Sequence, residues 1–374
     1  MRRFLSIWIM SCLYISAFAQ VITGYVSDEL SKRKISRAEI YFDGTFAGTV
    51  TDQNGRFKID ISKYSTMPLT VSSNGYYSVI FKPEPSDEPV EVLLKPKLSE
   101  TVGSSGNPEE KEERKGNLKQ FKNIFLGKTN NALSCEIVNE NEIIFKAEKK
   151  ILKAYSSSPL IIQNKALGYK ASYYLDKFEL NKEDGSYYYS GNILFNEDLA
   201  TTDALNKKYI KKRGEAYFKS RTYFFRLLWA NRLDSAGYVV KNPLDEDLYY
   251  ENIVIDKGSR GKYLKYSGNE ISTYFVFLEE EAVYDAWGRL DISCITEITL
   301  QNDVFFDEKG YFNPNDITWR GKLAKQQIAD LLPLEFYEIA TANTQPKAPA
   351  WHLKPHSAPS HLTPNSYQRR SISR

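Results

Sequence analysis

The sequence predicts a mainly β chain: a small antiparallel sandwich followed by a larger β-rich α+β unit with one main helix. Three observations carry this. Apolar residues alternate with a period of two through residues 20–95, and turn signals recur every 8 to 12 residues or so. Residues 96–120 then shift to Gly/Ser and to a charged run with no apolar face, the composition of a flexible linker. From Phe121 to Ala340 aromatic-rich, strand-like segments return, broken by a single strongly apolar helical pattern.

The elements follow in order. Residues 1–19 have a basic front, an apolar middle and a small-x-small end, which predicts a secretory signal peptide cleaved between Ala19 and Gln20. The apolar run is short for a membrane anchor, and Ile9-Met10-Ser11 makes a poor lipoprotein box before Cys12. In the sandwich the alternating sets are Ile22, Gly24 and Val26; Ala38, Ile40 and Phe42; Phe57, Ile59 and Ile61; Leu69 and Val71; and Val90, Val92 and Leu94. Between the second and third lies Asp52-Gln53-Asn54-Gly55. A calcium loop of the EF-hand kind needs glycine sixth and glutamate twelfth, whereas Gly55 is fourth and the twelfth residue is Lys63. Asp52, Asn54 and Gly55 therefore predict a tight turn, here a hairpin. Asp285 with Gly288, Asp307 with Gly310, and Asp184-Gly185 repeat the device as structural turns.

In the second unit, strands are expected over 142–154, 160–163, 168–180, 187–195, 274–284 and 292–306. Ser220 is placed to cap a helix running to Ala236, with Tyr223, Phe224, Leu227, Leu228 and Leu233 on its apolar face and Gly237 as its stop. A second short helix is expected over 323–332, ended by Pro333. Residues 341–374 hold five prolines, five basic residues and no acid, and predict a disordered basic tail.

Composition excludes several functions. Without Arg2 and Arg3 the exported chain carries 48 basic against 47 acidic residues, a balance that attracts no nucleic acid. No later apolar run is long enough to span a bilayer as a helix. All three histidines, His352, His356 and His361, lie in the tail, so the body has no Ser-His-Asp triad, Cys-His pair or histidine-bearing zinc site. No cofactor and no metal ion are expected. Cys135 and Cys294 leave two outcomes open, one disulfide or two buried thiols.

Several stretches resemble a known family: Ile22-Thr-Gly24-Tyr-Val26, Ala38-Glu-Ile40, Gly48-Thr-Val-Thr51-Asp52-Gln-Asn54-Gly55-Arg-Phe57 and Ser72-Ser-Asn-Gly75-Tyr76. Together they are similar to the carboxypeptidase-regulatory-like domain of exported proteins from Gram-negative envelopes. The resemblance implies a seven-stranded, transthyretin- or immunoglobulin-like sandwich that accompanies other modules and is not itself catalytic. Pro159-Leu-Ile-Ile-Gln-Asn164 with Ala166-Leu-Gly-Tyr169, Arg213-Gly-Glu-Ala-Tyr217, and Ala329-Asp-Leu-Leu-Pro333-Leu-Glu-Phe336 resemble a region found after this sandwich in exported proteins, and imply no activity.

Chemistry without histidine would need paired carboxylates. Glu251, Glu279 and Glu281 are the candidates, with solvated charge as the plainer explanation. No Gly-x-Ser-x-Gly elbow occurs, and Gly258-Ser-Arg-Gly261 lacks phosphate-loop spacing. Tyr-Ser-Gly-Asn at 189–192 and 266–269 marks expected strand bends or bulges. Adjacent tyrosines place one ring on each face of a strand, and Tyr173, Tyr188 and Tyr250 are the candidate ligand-binding rings. A small outer-membrane barrel is a poorer fit, because the chain ends in a polar tail. The expectation is a non-catalytic protein of the periplasm or outer-membrane face that binds an envelope protein or glycan. The alternative is a polysaccharide hydrolase using a carboxylate pair in 121–340.

Overall fold

The structure is a computed structural model and describes residues 20–84, 88–97, 108–258, 261–267, 272–286 and 288–336. The expected signal peptide and basic tail lie outside these residues.

Seven strands build the first unit: β1 (Val21–Asp28), β2 (Glu39–Tyr41), β3 (Gly48–Val50), β4 (Arg56–Asp60), β5 (Leu69–Ser72), β6 (Val79–Phe81) and β7 (Val90–Leu94). They form two sheets, ordered β4-β1-β7 and β3-β2-β5-β6. Strand β1 runs antiparallel to β4 and parallel to β7. Ile22, Val26, Ile40, Phe57, Ile59, Val71 and Val92 fill the space between the sheets, so the alternation read from sequence is the inward face of each strand. One expectation changes. The strands flanking Asp52-Gly55 belong to opposite sheets, so the turn is a corner of the sandwich and not a hairpin. Buried Thr51 fixes that corner: its Oγ1 accepts from Ala38 N and donates to Ile35 O.

The stretch expected as linker is in part a helix, α1 (Pro108–Phe125). Glu109 and Glu110 occupy its first turn, where carboxylates suit the helix dipole. Leu118, Phe121 and Phe125 then bring its second half onto the next core. The charged run belongs to the largely exposed first half of that helix.

The second unit opens with β8 (Cys135–Ile137), β9 (Ile144–Glu148), β10 (Ile151–Tyr155), β11 (Leu160–Asn164), β12 (Tyr169–Asn181) and β13 (Tyr187–Asp198). The long β12 organises this sheet. Strand β13 pairs along one side of it, while β11 pairs with Tyr169–Tyr173 and β10 with Glu179–Asn181 on the other. A register shift between Leu175 and Lys177 faces Ser190 and Gly191, so the first Tyr-Ser-Gly-Asn does lie at a bulge. The second falls partly outside the described residues.

More than one helix follows. Helix α2 (Asp203–Tyr217) is capped by Thr202 Oγ1, which accepts from Leu205 N at 3.3 Å. Helix α3 (Arg221–Trp229) is capped, as its sequence predicts, by Ser220 Oγ accepting from Tyr223 N at 3.0 Å. It is shorter than expected, because Asn231 adopts φ +52° and ends the regular turn before Gly237 does so at +76°. After it come β14 (Tyr238–Lys241), the single turn α4 (Tyr250–Ile253), β15 (Val254–Asp256), β16 (Lys262–Leu264), β17 (Ser272–Leu278), β18 (Thr296–Leu300), β19 (Val304–Phe306) and β20 (Ile317–Gly321). These strands make two sheets, β14-β17-β18-β20 and β15-β16-β19. Phe224 meets Tyr238 and Trp319 edge-on, and Phe225 stacks on Phe312 and packs against Phe306, so α3 supplies the rings that join the two sheets. The short helix expected over 323–332 is two separate 3-10 turns, Leu323–Lys325 and Ile328–Asp330.

The two units are docked against each other. The loop after β2 extends the edge of β13: Gly44 N donates to Ile193 O at 2.8 Å, and Phe195 N to Thr45 O at 2.9 Å. Tyr41, Tyr174 and Leu194 form a small shared core there. Further along, Glu335 Oε1 accepts from Tyr64 OH at 2.7 Å and from Phe46 N at 2.9 Å. No helix among the described residues is long and apolar enough to cross a membrane.

Candidate functional site

In each of Asp52, Asp285 and Asp307, the backbone N–H donates to the residue four ahead and the carbonyl accepts from the glycine three ahead. Each Oδ1 also accepts the N–H four residues on, from Arg56, Arg289 and Tyr311 respectively, at 2.9 to 3.0 Å. Asp52 Oδ1 takes Asn54 N as well, at 2.8 Å. Gly55, Gly288 and Gly310 carry φ of +71°, +76° and +79°, which a side chain disfavours. Asp307 is the buried member, and its Oδ2 accepts from Thr66 Oγ1 of the sandwich at 2.7 Å. Burial lifts its carboxyl above the usual range.

The three candidate tyrosines do not form one site. Tyr173 is a core residue, 4% exposed, with Phe125 edge-on at 4.9 Å. This corrects its assignment as a ligand-binding ring: the face of β12 it occupies is the one α1 covers, a helix whose charged first half has the composition of a linker. Tyr250 is partly buried against the aromatic core, and its hydroxyl accepts from Lys262 Nζ at 2.8 Å. Tyr188 is open, 55% exposed, beside Lys177 on β13.

A different place gathers the chemistry. A cavity of about 350 Å³ opens in the larger unit between the end of α2, the β14-β17-β18 sheet, the 129–131 loop and the two 3-10 turns after β20. Phe218, Tyr238, Val276, Leu278 and Leu323 supply its apolar wall. Thr129, Asn130, Asn131, Thr296 and Gln326 supply hydroxyls and amides. Its charged residues are Lys212, Glu215, Lys219, Glu281, Lys322, Lys325 and Asp330. Glu281 is ion-paired with Lys322. Asp330 accepts from Thr129 Oγ1 at 2.9 Å and Asn131 Nδ2 at 2.8 Å, while burial raises its pKa. Lys212, Lys219 and Lys325 have no carboxylate partner among the described residues. Of the three glutamates considered for catalysis, Glu281 alone lines the cavity; Glu279 is exposed at the start of the same 3-10 turn, and Glu251 is exposed on α4.

Behind one wall sits Arg221. Its backbone N–H donates to Gln326 Oε1 at 3.1 Å and its Nη2 to Gln326 O at 2.7 Å. Its Nε is buried with no hydrogen-bond partner, and no carboxylate pairs with it among the described residues.

The cysteines are both free thiols. Cys135 is buried, with its pKa pushed up to about 12 by burial, and half-buried Cys294 lines the cavity. The described residues contain no group of three or more His, Cys, Asp or Glu placed to hold a metal ion.

Sequence reasoning missed two acids that join the units, Asp43 and Glu39, and a buried arginine inside the larger one, Arg213. Asp43 is half-buried at the contact, accepts from Ile193 N at 2.6 Å, and has its pKa raised by desolvation to about 6. Glu39 accepts from Tyr174 OH at 2.9 Å, and burial raises its pKa too. Arg213 is buried at the end of α2. It clasps Asp198 through Nη1 and Nη2 at 2.9 and 2.6 Å, donates to the carbonyls of Leu167 and Gly168, and lies over the Tyr169 ring. Asp43-Gly44 had a visible turn signal, but nothing local in the sequence names Ile193 as its partner.

Comparison with known families agrees with the first unit. Residues 22–102 match the CarboxypepD_reg-like domain family, so the N-terminal sandwich is a carboxypeptidase-regulatory-like domain, a regulatory and non-catalytic module. No curated protein matches the chain.

Proposed function

We propose that this chain is a non-catalytic, exported accessory protein of a bacterial envelope, which captures a glycan or a projecting group of a partner protein in the cavity of its larger unit. The observation that carries this is the cavity itself: an apolar wall, converging amides and hydroxyls, and three lysines with no carboxylate partner among the described residues. Concave, mostly apolar sites of this size with a few convergent polar groups are built to bind small ligands. The sandwich serves as the docking or spacing module, held by its contacts with β13 and Glu335.

The hydrolase alternative draws on one observation, that Glu215, Glu281 and Asp330 share the cavity. A Glu281→Gln change separates the two: a binder keeps its partner with affinity changed a few-fold at most, whereas a hydrolase loses turnover of polysaccharide.

Affinity purification of the tagged protein from its own envelope after mild cross-linking tests the proposal. The wild type should bring down a stoichiometric partner. Leu278→Trp, which fills the cavity from a partly exposed position, should lose it. Recovery of the chain alone, or equal capture by Leu278→Trp, would contradict the proposal.

A further inference from the structure

Resting on that binding proposal, we propose a ligand class for the cavity: an acidic saccharide, a sugar ring carrying a carboxylate. Two independent features lead there. The first is the lining. Phe218 and Tyr238 offer flat apolar surface beside Val276 and Leu278, and Asn130, Asn131 and Gln326 offer both donors and acceptors. A sugar presents this combination in mirror form, with C–H faces that pack on rings and hydroxyls that need amide partners. A purely aliphatic ligand would use none of the amide atoms left over once Asn131 Nδ2 bonds Asp330 and Gln326 Oε1 accepts from Arg221 N.

The second feature is charge. Glu281 is neutralised by Lys322, and the Asp330 carboxylate is held by Thr129 Oγ1 at 2.9 Å and Asn131 Nδ2 at 2.8 Å. Lys212, Lys219 and Lys325 remain, opposed by exposed Glu215. Arg221 adds a fourth cation from within the wall. It is fastened to Gln326, a lining residue, and has a buried Nε that nothing satisfies. A partly buried cation with no anion among the described residues is costly to keep, and its field reaches into the adjoining cavity. A carboxylate arriving on the ligand would offset that cost. The lysines then fix its position at the mouth, and Arg221 biases the whole site toward anions without touching the ligand.

The test is calorimetric titration of the mature full-length chain with matched sugars: N-acetylmuramic acid against N-acetylglucosamine, and galacturonic acid against galactose. The acidic member of one pair should bind about tenfold tighter than its neutral counterpart at low salt. That preference should shrink several-fold in concentrated salt, as screening predicts. Lys219→Ala and Lys325→Ala, both at exposed positions, should each weaken the acidic sugar about three- to fivefold and leave the neutral one unchanged. Equal affinity within both pairs overturns the inference, and so does failure of both acids to bind. Those results are separable from failure of the proposed function. If Leu278→Trp abolishes partner capture while no acidic sugar binds, the ligand class alone is wrong. If Leu278→Trp leaves capture intact, the cavity reading falls as well.

Discussion

Single residues here do two kinds of work that look alike in sequence. The aspartates of the three Asp-x-x-Gly turns spend their carboxylate oxygens on backbone N–H groups, and the glycines supply the positive φ. How tightly each glycine is held differs. A Cβ on Gly55 would come within 2.8 Å of Val26 O, whereas one on Gly185, at φ +72°, would meet nothing within 4 Å. Gly55→Ala should therefore destabilise by about 2 kcal/mol or more and Gly185→Ala by about 1 kcal/mol, measured by urea unfolding, because both carry the left-handed penalty and only the first adds a clash. Arg213 makes a sharper case. Its bidentate bond to Asp198 and two bonds to carbonyls use the planar fork of a guanidinium, which an ammonium cannot reproduce. Arg213→Lys should cost about 2–4 kcal/mol by the same measurement. The thiols give a third outcome. A maleimide should label half-exposed Cys294 first and buried Cys135 only on unfolding, and a ligand in the cavity should slow the labelling of Cys294.

At the scale of elements, the legible parts were those whose own pattern decides them. The strands of the sandwich announce themselves by alternation, and α3 by Ser220 and five apolar residues on one face. Helix α1 was missed because its first half is charged and Gly116 interrupts it, so the anchoring trio Leu118, Phe121 and Phe125 falls past the apparent linker. Phe121→Ala should cost about 3–5 kcal/mol, since its ring is fully buried between Phe125, Phe145 and Phe178. A loss below about 1 kcal/mol in thermal or urea unfolding would mean that α1 is not packed on the sheet. Helix α2 was missed for another reason. Its inward residues, Tyr209, Arg213 and Tyr217, include a charge, and that charge is buried only because Asp198 and two carbonyls of a distant loop receive it. The cavity was illegible on the same ground: its lining comes from segments between residues 129 and 330, and no local window contains them.

The whole molecule is defined by the docking of its two units, and that contact carries buried and half-buried acids. Asp43, with a pKa near 6 against an ordinary 3.8, keeps its proton in the folded state over a range where the unfolded chain has lost it. Glu39, Asp176 and Asp307 are raised in the same direction by burial. The folded state thus binds more protons between about pH 4 and 6, so these groups make stability fall as pH rises through that window. Asp43 accounts for roughly 3 kcal/mol of the fall. Asp43→Asn, which retains an acceptor for Ile193 N, should flatten this part of the profile of unfolding midpoint against pH; an unchanged slope would place the titration elsewhere. The central claim is that a docked body presents one binding cavity in its larger unit. Hydrogen exchange on the wild-type chain, with and without its captured partner, tests that claim most directly. Protection should rise at 129–131, 212–219, 276–278 and 322–326, the segments that line the cavity. Protection confined to the sandwich, around the exposed Val50 and Ile80, would contradict it and move the binding surface to the other unit.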